Sequence, residues 1–75
     1  MHKLQQFTAI IEKEEKLYVA LCPELDIASQ GKTVEQARTN LIEDLELFFE
    51  TASSKEIAER MNNEVFITRL EVLVG

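Results

Sequence analysis

The stretch YVALCPELDIASQGKTVEQARTNL, residues 18–41, contains the joins on which the fold depends. It opens on strand-like alternation and ends in helical spacing, with a proline, a glycine and a threonine between. Pro23 cannot donate to a sheet ladder, so it ends a strand at about Cys22. LDIASQG, residues 25–31, offers a second short strand, closed by Gly31 in a backbone geometry shut to other residues. Thr33 is the N-cap of a helix, and Gln36 three residues on completes a Thr-x-x-Gln capping box. Glu35 in the first turn suits the helix dipole. These residues predict a strand-to-helix connector.

Upstream, FTAIIEKEEKLYVAL reads as a β-hairpin with a charged tip at residues 13–16. The inward set of its second strand is expected to be Leu17, Val19 and Leu21, which leaves Tyr18 facing out. Downstream, Val34, Ala37, Leu41, Leu45, Phe48 and Ala52 recur at spacings of three and four, the signature of a helix of about five turns. Glu35, Glu43, Glu46 and Glu50 gather on the opposite side, while Ile42 and Phe49 widen the apolar stripe. Ser53-x-x-Glu56 is a second capping box and predicts a short helix over residues 54–61. Asn62 and Asn63 mark a turn, after which EVFITRLEVLVG, residues 64–75, reads as a final strand. Phe66, Thr68, Leu70, Val72 and Val74 share one face of it; Val65, Ile67, Arg69, Glu71 and Leu73 share the other. The expected fold is α+β: β-β-β-α-(short α)-β, an antiparallel sheet with one long helix packed on one face.

Length and composition bound the function. At 75 residues the chain is one domain, and 45% apolar residues with few Gly and Pro exclude disorder and fibrous classes. No apolar run approaches the roughly 20 residues needed to span a bilayer, and the N-terminus lacks a signal-peptide pattern. One cysteine forms neither an internal disulfide nor a metal set, so a reduced cytoplasmic protein is expected. The net charge is −6, and most of it falls in residues 33–51, where Arg38 faces Glu35, Glu43, Asp44, Glu46 and Glu50. Direct nucleic-acid binding needs a cationic face, which this sequence lacks. An acidic surface favours a basic partner instead.

Catalytic readings are weak. Cys22 as a nucleophile needs a base and an orienting group, and the one histidine is His2 at the terminus. A small buried thiol is the expected role. Glu24 and Asp26 with Glu12 or Glu71 would make a carboxylate cluster for a divalent metal, but no strand-centre Asp accompanies them. No enzyme activity, metal or cofactor is expected.

The hairpin ending in Tyr-Val-Ala, the Pro-Glu-Leu, the strand closing Ser-Gln-Gly and the Thr-Val-Glu-Gln-Ala helix start together resemble the HicB-like antitoxin domain of type II HicA–HicB toxin–antitoxin systems. The matching residues are roughly 18–50, and the flanking strands fit the same order. The resemblance implies a partial ribonuclease H-like fold that sequesters a small basic RNA-cleaving toxin of the HicA type. Full-length relatives add a C-terminal segment that binds operator DNA; the sequence stops at Gly75 after the last strand, so operator binding is not expected of it. The residues expected to meet the toxin are Tyr18, Glu24, Asp26, Glu43, Glu46 and Glu50. The alternative is an orphan oligomeric protein of regulatory or structural use, without toxin or DNA partner. In either case the surplus of apolar residues predicts a homodimer or larger even oligomer, through Ile67 and Leu73 of the final strand or Ile42 and Phe49 of the helix flank.

Overall fold

The computed structural model describes residues 4–75; His2 lies outside the described residues. The class is α+β: a three-stranded antiparallel sheet, then a long helix and a short one. The strands are β1 (Ile10–Glu14), β2 (Leu17–Cys22) and β3 (Ile27–Gly31), and the helices α1 (Val34–Thr51) and α2 (Ser54–Met61). The sheet order β1-β2-β3 follows the sequence, with Ile10 opposite Leu21, Glu14 opposite Leu17, Tyr18 opposite Gly31 and Cys22 opposite Ile27. The hairpin tip is tighter than the charge run implied. Lys13 and Glu14 are paired, and only Glu15 and Lys16 form the turn, with Glu15 at φ 55°.

The caps act as the sequence indicated, with one refinement. The Thr33 hydroxyl accepts from the Gln36 amide (3.0 Å), but the Gln36 side chain accepts from the Lys32 amide (2.6 Å) rather than from that of Thr33. The box therefore reaches one residue further back. Ser53 caps α2 through the Glu56 amide (3.1 Å).

The covered face of the sheet corrects the expected phase of β2. Ala20 and Cys22 are fully buried against α1, with Tyr18 at the edge of the same cluster; Leu17, Val19 and Leu21 lie on the face away from the helix. The physical reason is size. Along this contact the buried residues are Ala20, Cys22, Gly31 and Ala37, joined by Leu25 and Leu41. Small side chains let the helix approach the sheet closely, so bulk alone did not reveal the inward set. Gly31 belongs to the same contact. Its φ is not positive, so the expected special backbone geometry is absent; instead a Cβ there would stand 2.5 Å from the Ala37 amide nitrogen and 2.8 Å from the Gln36 carbonyl carbon. Glycine is required for the close approach of β3 to the first turn of α1. Asn40 adds a tie, its Nδ2 donating to the Gln30 carbonyl (2.8 Å).

The final strand is the principal departure. Residues 64–75 form no ladder with the sheet and are exposed throughout. The sheet offers outer edges at β1 and β3, but within the single chain this segment pairs with neither.

Candidate partner-binding face

Three surfaces hold the residues singled out from the sequence. The first is the connector between β2 and β3. Pro23 ends β2, and Leu25 turns in to become the largest fully buried side chain of the core. Asp26 takes φ 55°, a left-handed conformation that Asp tolerates better than most residues, and is exposed. Glu24, expected to meet a partner, is half-buried and its carboxylate is engaged within the chain. The Thr8 amide donates to both of its oxygens (3.2 and 3.1 Å), the Thr8 hydroxyl donates to Oε2 (2.7 Å), and the Cys22 thiol lies 3.5 Å from Oε1. Desolvation works to raise this carboxyl, but the hydrogen bonds led by those of Thr8 outweigh it and hold the group below its ordinary value. Burial pushes the Cys22 thiol up, and the Glu24 carboxylate adds to the shift. A buried thiol held protonated is a poor nucleophile.

A residue far along the chain completes the connector. The Arg60 guanidinium of α2 donates from Nη1 to the Leu25 carbonyl and stands 5.4 Å from the Phe48 ring centroid. It ties α2 to the turn and to α1. Sequence reasoning missed this contact across 35 positions, since nothing local marks a partner for a carbonyl in a distant turn.

The second surface is the solvent side of α1. Glu35, Glu43, Asp44, Glu46 and Glu50 are all exposed. Glu43, Glu46 and Glu50 are spaced three and four apart, so they are surface neighbours on one face. Tyr18 is not part of this surface. It is half-buried at the rim of the core on the helix side of the sheet, with the Lys13 ammonium 5.9 Å from its ring centroid. The outward anchor expected of it is therefore corrected.

The third is an open groove of about 1020 Å³ between residues 4–9 and α1. Phe7, Leu41, Ile42, Leu45 and Phe49 supply its apolar lining, with Glu46 and Glu50 along its helix side. Ile42 is exposed there, whereas Phe49 is half-buried between Phe7 (ring centroids 5.7 Å) and Phe48 (5.3 Å, edge to face). Phe49 thus packs largely within its own chain, and Ile42 is the free flank residue. Ile67 and Leu73, the other expected contact residues, are exposed in the tail.

Among the described residues no group of three or more His, Cys, Asp and Glu is placed to hold a metal ion. No helix among them is long and apolar enough to cross a membrane. Searches of family models, curated proteins and solved structures find no match to this chain.

Proposed function

We propose that the chain is a HicB-like antitoxin module that binds a small basic RNA-cleaving toxin of the HicA type in the cytoplasm and covers its site, with no catalysis or cofactor of its own. The observation that carries this reading is the charge on α1. Like charges three and four apart cost a helix a few tenths of a kcal/mol each, and an acid in the last turn opposes the helix dipole. Yet α1 carries Glu43, Glu46 and Glu50 in that spacing, with Glu50 in the terminal turns and no basic residue in the last one. A charge pattern unfavourable to its own helix is suited to a cationic partner. Its main effect is on encounter rate and partner choice, since single exposed ion pairs contribute at most about 1 kcal/mol. The ordered resemblance over residues 18–50 names the class of that partner.

Co-expression with a short basic ribonuclease encoded beside the gene tests the proposal. The two proteins copurify and growth is restored under this reading; absence of such a neighbour together with no protection against any HicA-type toxin would overturn it. The second reading, an orphan oligomer, is favoured by one observation: the uncovered apolar tail at residues 64–75.

A further inference from the structure

The single chain exposes more surface than a compact protein of its size. A folded monomer of 8.6 kDa exposes roughly 4,700 Å², whereas this chain exposes 6748 Å². The radius of gyration is 14.6 Å against roughly 11 Å for a compact chain of this length. The tail accounts for much of the difference in kind. Phe66 is 85% exposed, Leu70 82% and Val74 91%, and Ile67, Val72 and Leu73 are exposed beside them. An alternating apolar segment of this length has no reason to stay in water when an edge is open to it.

Such an edge exists. Among the described residues the order β1-β2-β3 leaves the outer sides of β1 and β3 unpaired, and it is beside β1 that the apolar groove runs, between the chain leading into that strand and α1. The two faces of the tail match what lies on either side of that edge. Phe66, Leu70, Val72 and Val74 suit the groove of Phe7, Ile42, Leu45 and Phe49 on the helix side. Val65, Ile67 and Leu73 suit the open face of the sheet, where Ile10 is exposed and Leu17, Val19 and Leu21 are only partly covered. Neither face of the tail is wholly polar, although Arg69 and Glu71 share the Val65–Leu73 side; an added edge strand here has apolar neighbours on both sides.

We infer that residues 64–75 of one chain pair with the β1 edge of a second copy and fill its groove, and that the second copy returns its own tail in the same way. The occupant is the second copy because the tail, beginning just after Asn62–Asn63, leaves its own groove open: it joins no ladder of the sheet, no tail residue lines the groove, and the chain as a whole is elongated, at 51 × 28 × 18 Å. The exchange closes a two-fold dimer. The excess of about 2,000 Å² over a compact monomer is of the order that a specific interface buries. The inference does not depend on the toxin reading.

Two measurements on the full chain test it. Light scattering at micromolar concentration gives about twice the 8.6 kDa chain mass, and the double variant Leu70→Lys/Val72→Lys raises the dimer dissociation constant about a hundredfold or more. Both residues are exposed in the single chain, so its far-UV circular dichroism loses at most the added strand. In an equal mixture of carbon-13-labelled and unlabelled chains, isotope-filtered NMR places the methyls of Leu70 and Val72 against Phe49 and Ile42 of the other chain. A monomer mass, whether its tail is free or folded onto its own groove, overturns the inference. So does a dimer that the double variant leaves intact, or one without those interchain contacts.

Discussion

Two residues of the connector carry consequences out of proportion to their size. Glu24 accepts from both the amide and the hydroxyl of Thr8, joining the chain before β1 to the turn after β2. Its carboxyl is held below the ordinary 4.5 in the folded chain, so the unfolded chain takes up the proton first as pH falls. The stabilisation from this group is present above the ordinary 4.5 and is lost as pH falls through the lowered folded value. Glu24→Gln should therefore lower stability at pH 7 by about 1–2 kcal/mol and flatten the acid limb in urea titrations run from pH 7 to 3. Gly31→Ala forces a methyl against the Ala37 and Gln36 backbone, which cannot swing aside as a flexible side chain would. A loss of about 1–3 kcal/mol is expected, read from the shift of the urea midpoint. The Pro23 strand stop and the Thr33 cap were legible in the sequence because each rests on local chemistry. The Thr8–Glu24 clamp was not, since it joins residues 16 positions apart without a motif. The role of Gly31 was legible as a necessity but not as a mechanism, because a glycine needed for close approach and one needed for positive φ look alike in a sequence.

At the scale of elements, α1 and α2 were readable to their ends, from apolar spacing and from the Thr33 and Ser53 caps. The strands were readable in order but not in phase. Leu17, Val19 and Leu21 are bulkier than Ala20 and Cys22, and hydrophobicity alone pointed to the larger set. Packing a helix close to a sheet selects for small residues, and that selection is visible only when Ala20, Cys22, Gly31 and Ala37 are seen together. The attachment of α2 depends on Arg60, whose guanidinium bonds the Leu25 carbonyl and lies over Phe48. Arg60→Ala removes a charged hydrogen bond and a cation–π contact, at a cost of about 1.5–3 kcal/mol. Amide exchange should then accelerate in α2 while the amides of β2 and the middle of α1 change little. Equal acceleration throughout would show that α2 is held by other means.

For the whole molecule, the acidic ridge of α1 and the groove offered to the tail adjoin, with Glu46 and Glu50 bordering both. In the proposed reading the ridge would govern meeting a basic partner, and in the inferred dimer the tail would govern assembly with a second copy. The ridge permits a variant in which stability and binding move in opposite directions. Glu50→Lys places a cation four residues after Glu46 and in the last turns of α1, so it should stabilise the fold by about 0.3–1 kcal/mol. The same change should slow association with a cationic toxin several-fold at low salt, with the difference shrinking as ionic strength rises. Stopped-flow association rates over a salt series measure it. The tail shows the limit of a single sequence most clearly: its alternation is evident from Phe66 to Val74, but alternation does not supply a partner edge, and the segment forms no ladder in the single chain. Neutralisation of a small basic ribonuclease by this chain is read from RNA cleavage by the neighbouring-gene enzyme as the purified chain is titrated in. If the chain covers the enzyme, cleavage falls to background at a fixed small-integer ratio of chain to enzyme; undiminished cleavage in a large excess of folded chain would rule that function out.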